Sequence, residues 1–141
     1  MQEFEEVDKW LHQAMIRTTL PRRTIARMLK KSHKPLRPLE IRNNTAKHGS
    51  PIDLVTIYRT LTLFEKKHIA HRHPSSGGYL FCSMPEEEGH HGFLTCLSCK
   101  RTEEFHEPEF CKLEDSIARR AKFSATRHIS EIIGMCSQCR S

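Results

Sequence analysis

Apolar residues in the first half of the chain recur at three- and four-residue steps, the period of a helix with one buried face. Val7, Trp10, Leu11, Ala14 and Met15 fall on one such face. A second helix is predicted in PRRTIARMLKK, with Pro21 in its first turn and Ile25, Met28 and Leu29 inward. A third runs through PLEIRNNTAKHG and stops at Gly49. The fourth, DLVTIYRTLTLFEKKH, is marked at both ends: Asp53 caps its start, and Lys66 and Lys67 complement its C-terminal dipole. Leu54, Ile57, Leu61 and Phe64 form its buried stripe. Thr56, Arg59 and Thr60 remain for its other face, with Tyr58 to one side. Such side chains suit phosphates and base edges in a major groove.

Beyond this helix the period drops to about two, and HIAHRHPSSGGYLFC reads as two short strands around a Ser/Gly turn. Helices followed by a hairpin predict a winged helix. A turn centred on Ser76 and Gly77 sets His71 directly opposite Cys82, with Cβ atoms roughly 5 Å apart, close enough to share a metal ion. The same pairing also fits a half-buried structural cysteine beside an exposed histidine. A slip of one residue would place the two on opposite faces. Further on, KRTEEFHEP suggests a strand and RHISEIIGMC another. Between them PEFCKLEDSIARRAKF suggests a helix with Phe110, Leu113, Ile117 and Ala121 on one side. The expected fold class is α+β, with a winged-helix DNA-binding domain over residues 1–83 and a small α/β domain over residues 84–141.

The cysteines sharpen this division, because all six lie after residue 81. Cys96-x2-Cys99 and Cys136-x2-Cys139 are two clips of equal spacing, and together they offer zinc a closed tetrahedral set of four thiolates. A closed site is structural, and it orders a segment whose own core is small. Cys111 falls beside the apolar stripe of the last helix and reads as a buried small hydrophobe. Cys82 can be combined with His71, His90 and Glu104 into a second four-ligand set. One thiolate, two imidazoles and one carboxylate suit four-coordinate zinc better than ferrous iron or manganese. His33, His73, His91 and His106 could supplement a site, but a solvated surface histidine is the plainer reading of each.

Charge assigns a partner to the other half. The net charge is +6, but residues 1–73 hold 15 Lys and Arg against 7 Asp and Glu, whereas residues 74–141 hold 8 against 10. The basic, helical half is therefore the one expected to meet a polyanion, with a solvated basic face as the plainer reading of charge alone. No apolar run reaches the roughly 20 residues of a membrane span, and MQEFEEVDKWLHQ lacks the plan of a signal peptide. A cytoplasmic protein is expected, where reducing conditions favour cysteine as a metal ligand over a disulfide framework. No His-Glu-x-x-His occurs and the second ligand set is full, so neither an enzyme nor a small-molecule substrate is expected. A thiol or peroxide sensor, losing zinc on oxidation, is an alternative.

DLVTIYRTLTLFEKKHI, the hairpin with SSGGY, GHHGFLTCLSCKRTEEF and the closing GMCSQC together resemble the ferric-uptake-regulator superfamily over roughly residues 5–140. The spacing of His71, Cys82, His90 and Glu104 is most similar to the regulatory site of its zinc-uptake branch. The resemblance implies a metal-responsive homodimer that binds an A/T-rich palindromic operator and represses zinc-uptake genes. Two zinc ions per monomer are expected, one structural and one regulatory. Tyr58 would contact a thymine, Arg59 the backbone or a neighbouring dimer, and the four-cysteine zinc would support dimerisation through the second domain. Iron-type members carry His-His-Asp-His before the first clip, where this chain has HHGF; an iron-responsive regulator is the alternative within the superfamily. A third site involving His128 lacks its expected glutamate, since Cys111 stands in that place.

Overall fold

The computed structural model describes residues 2–83, 91–126, 128 and 130–140. The chain forms two compact units, Met1–Cys82 and Ser83–Ser141. The first holds four helices, α1 (Gln2–Gln13), α2 (Leu20–Lys31), α3 (Pro38–Lys47) and α4 (Leu54–Lys66), then a hairpin of β1 (Ala70–Arg72) and β2 (Tyr79–Phe81). Val7 and Leu11 of α1, Ile25 and Leu29 of α2, Ile41 of α3, and Ile57, Leu61 and Phe64 of α4 meet in one buried core. This is the helical face anticipated from the periodicity, with two exceptions, one of them Leu54, which is only half-buried and outside the core cluster. The other, Met15, lies beyond the end of α1 and is 86% exposed, and Ile16 takes the core position instead.

The reason is how the helix stops. Met15 adopts φ 58°, its N–H donates to the His12 carbonyl, and the Ile16 N–H reaches back to Leu11 at 2.8 Å. These are the paired bonds of a Schellman ending, which turns the chain and swings Ile16 under the helix. Gly49 ends α3 and His68 ends α4 in the same way, with φ 79° and 59°. At the other ends, Thr19 caps α2, and the Asp53 carboxylate accepts from the Thr56 N–H at 3.1 Å and its hydroxyl at 2.6 Å.

The hairpin register differs from expectation by two residues. His71 pairs with Leu80, and Ala70 with Phe81. His73 closes the loop by donating to the Gly78 carbonyl at 2.7 Å, while Gly77, at φ 71°, takes the left-handed turn position. A four-residue loop shifts the centre to Ser75 and Ser76. Leu36 bridges to Tyr79 from the other side through bonds of 3.0 and 2.8 Å. Gly78 permits that approach, since a Cβ there would lie 2.8 Å from Pro35 Cβ and 3.1 Å from the Leu36 nitrogen.

The second unit contains β3 (Gly92–Cys96), β4 (Thr102–Phe105), α5 (Pro108–Arg120) and β5 (Ser130–Gly134). Its sheet has the order β4-β3-β5, with β3 antiparallel to β4 and parallel to β5. The central strand β3 lies where the periodicity suggested no element. The apolar stripe of α5 also departs from expectation: Phe110, Leu113 and Ile117 are 40–53% exposed, and no α5 residue is buried. The helix is tied to the start of β5 by polar contacts instead. Glu114 accepts from Ser130 at 2.6 Å and contacts His128 Nδ1 at 2.7 Å, and Asp115 lies 3.2 Å from His128 Nε2.

Candidate metal centres and DNA-facing helix

Parallel pairing explains how two clips forty residues apart meet. Cys96 is aligned with Gly134 across β3 and β5, so both clips lie just past the same ends of neighbouring strands. In the first, Lys100 at φ 67° lets its N–H return to the Cys96 carbonyl at 3.0 Å. In the second, the Cys139 and Arg140 N–H groups both donate to the Cys136 carbonyl at 3.0 Å. The sulfurs of Cys96, Cys99, Cys136 and Cys139 all lie within 4.8 Å of one another, and none of the four is in a disulfide. Cys99 and Cys136 are 3.9 Å apart, close to the roughly 3.8 Å edge of a tetrahedron with Zn–S bonds of about 2.3 Å. The residues fit zinc in number, softness and spacing.

The four thiols are not equivalent. The Cys136 N–H, 3.4 Å from the Cys96 sulfur, together with those of Cys99 and Ser98, lowers the Cys96 thiol to about 6. Hydrogen bonding to the Cys136 thiol pushes Cys139 up to about 11. The cluster thus holds protons that a divalent cation must displace.

The ligands proposed for the second zinc fall into two pairs, one in each unit. On the hairpin, Cys82 donates its N–H to Ile69 at 2.8 Å, which places it two residues beyond Leu80, the partner of His71. An even offset keeps His71 and Cys82 on one face, as diagonal rather than direct neighbours. Their ligand atoms lie within 4.8 Å of each other, and Cys82 is 2% exposed.

In the second unit, Glu104 pairs with Phe93. Its carboxylate accepts from the Ser83 N–H at 2.9 Å and contacts His91 Nδ1. The His91 side chain is only 5% exposed, and its ring meets His106 edge-on with centroids 5.4 Å apart. His91 is therefore not a solvated surface histidine, nor is His73, which is 2% exposed with its Nδ1 against Ser76. The sequence favours a surface position for His91 because only the β3–β4 register brings it to Glu104. His90 lies outside the described residues. The neighbouring Gly92 has a structural reason: a Cβ there would run into the Phe105 ring, with Cε1 at 2.7 Å.

Helix α4 presents Tyr58, 53% exposed, and Arg59, also exposed. Thr60 is corrected: it is buried at 4%, on the side of Ile57 and Leu61, where it cannot reach a groove. Thr56 is half-buried, and its hydroxyl is occupied with Asp53.

Residues 13–133 match the sequence model of the Ferric uptake regulator family. The chain is 33% identical to the ferric uptake regulation protein of Legionella pneumophila over 136 residues, 96% of this chain and 99% of that one. A zinc uptake regulator complexed with zinc and DNA has a similar fold, with a TM-score of 0.85 at 17% identity, covering 97% of this chain and 92% of that one. The Vibrio cholerae ferric uptake regulator gives a TM-score of 0.57 at 27% identity, covering 92% and 98%. Among the described residues no helix is long and apolar enough to cross a membrane. The α+β architecture, the four-cysteine cluster and these matches show that the chain belongs to the ferric uptake regulator family, as a metal-responsive, DNA-binding transcriptional regulator and not an enzyme.

Proposed function

We propose that the chain is a zinc-responsive repressor that binds an A/T-rich palindromic operator as a homodimer. The observation that carries the choice of metal is the pairing of His71 with the buried Cys82 thiol on one hairpin face. A soft thiolate beside an imidazole favours zinc over the oxygen- and nitrogen-rich, higher-coordinate sites of ferrous iron and manganese. The regulatory zinc would be held by His71, Cys82, His90 and Glu104. The four-cysteine cluster would hold the structural ion. Zinc, when bound, supplies a cross-link that the protein ligands alone lack.

The protein's part is to hold the deprotonated donors ready. The hairpin ladder fixes His71 and Cys82, and the Ser83 N–H and His91 orient the Glu104 carboxylate. A bound ion biases the DNA-binding state only by its differential affinity, and about 5.5 kcal/mol is needed to move a population from 1:99 to 99:1. Two equivalent sites in a dimer share that requirement. The dimer reading is supported by the α5 stripe and by β5, an edge strand whose Ile132 and Ile133 are 60% and 50% exposed. A second copy would cover these surfaces.

One observation favours iron instead: the 33% identity with a ferric uptake regulation protein over nearly the whole chain. Titrating operator binding with zinc and, anaerobically, with ferrous iron separates the two. Zinc reading out at much the lower free concentration supports the proposal, and the reverse order replaces it with the iron reading.

A further inference from the structure

At about 100° per residue, α4 sets Val55, Thr62 and Lys66 in line on the side opposite Ile57, Leu61 and Phe64, with Tyr58 and Arg59 flanking that line. All five are exposed, Val55 at 57% and Tyr58 at 53%. With Thr60 buried and the Thr56 hydroxyl held by Asp53, the outward surface of the first two turns is two valine methyls, a phenol ring and a guanidinium. Val55 is an odd choice for an exposed first-turn position. A β-branched side chain lowers helix propensity, and here no core packing offsets it.

The N-terminal residues of a recognition helix are those that reach base edges. An aliphatic side chain makes no hydrogen bond, and the one major-groove feature it reads is the C5-methyl group of thymine. We propose that Val55 is a specificity-determining residue that packs on a thymine C5-methyl, with the Tyr58 ring bounding the same apolar patch one turn on. This inference rests on α4 being the base-reading helix. It adds that one operator position is read by shape and apolar contact instead of by a hydrogen bond.

Uracil provides the test, because it differs from thymine only by the missing methyl. An operator is selected from random DNA with the metal-loaded full-length protein. Each thymine of one half-site is then replaced by uracil and affinity is read by fluorescence anisotropy at fixed salt. The expected result is one position where uracil weakens wild-type binding about fourfold, the worth of one buried methyl group, and where Val55→Ala shows a clearly smaller thymine–uracil difference. Wild-type affinity indifferent to every uracil, or a full uracil effect retained in Val55→Ala, overturns the proposal. Arg59→Ala on the same operator keeps the two levels apart. If it weakens binding while uracil does nothing, only the Val55 inference fails; if it binds like wild type, the recognition-helix reading fails with it.

Discussion

The Cys82 N–H donates to the Ile69 carbonyl at 2.8 Å, and this bond places the Cys82 thiol diagonally across from His71 on one face of the hairpin. A thiol 2% exposed beside an imidazole is well placed to ligate a metal and poorly placed to meet an oxidant. The zinc reading therefore rests on the hairpin ladder as much as on donor chemistry.

Cys82→Ser tests that relationship directly. Wild-type protein is expected to carry two zinc ions per monomer, one of which mild chelation removes together with operator binding. The variant is expected to carry one ion and to have lost zinc-dependent binding. Metal analysis and gel shifts on the same samples give the answer. One tightly held zinc in both proteins, with binding indifferent to chelation, would reduce Cys82 to a packed thiol.

The contact of His91 with Glu104 makes a second prediction. As the partner that orients the Glu104 carboxylate, His91 should cost about 10–100-fold in zinc affinity when changed to Ala, whereas His90→Ala should abolish the removable site. Competition with a chromophoric chelator measures both. The opposite ranking would exchange the two histidines' roles.

These particulars show where the sequence was readable. The helical core was, because Val7, Leu11, Ile25, Ile57, Leu61 and Phe64 repeat at a period that only a helix satisfies. So was the four-cysteine cluster, because two equal clips carry their chemistry in their spacing. The hairpin register was not, because Ser75, Ser76, Gly77 and Gly78 allow more than one loop length. A two-residue shift still preserved the face, so His71 and Cys82 remain neighbours although they do not pair directly. The strand β3 was hidden because its buried positions, Gly92, Phe93 and Cys96, do not alternate along it, and the placing of His91 beside Glu104 depended on a long-range register that no local pattern encodes.

Gly92 itself is predicted to be intolerant of a side chain. The Phe105 ring occupies the place a Cβ would take, and Phe93 beside it is buried at 4%. Gly92→Ala should destabilise the second unit by about 1–3 kcal/mol through overpacking, seen as a lower thermal midpoint. Gly92→Ala with Phe105→Leu should recover part of the loss. An unchanged midpoint in the single variant would mean the ring moves aside without cost.

The thiol cluster makes the last prediction, and its sign follows from two opposed shifts. Cys96, lowered to about 6 by backbone N–H groups, is mostly thiolate at neutral pH, whereas Cys139, raised to about 11 by the Cys136 thiol, keeps its proton there. Zinc entering the cluster at neutral pH must displace at least the Cys139 proton, so affinity should rise at least tenfold per pH unit. Below about 6 Cys96 also becomes a thiol, one more proton enters the balance and the dependence steepens. Zinc release followed with a colorimetric chelator from pH 5 to 8 should therefore show a slope of at least one that grows towards acid. Cys139→Ser should lose that neutral-range proton release along with tight binding. A pH-independent affinity would mean that the four thiols are already ionised in the metal-free protein, and that the cluster waits for its ion with no proton to exchange.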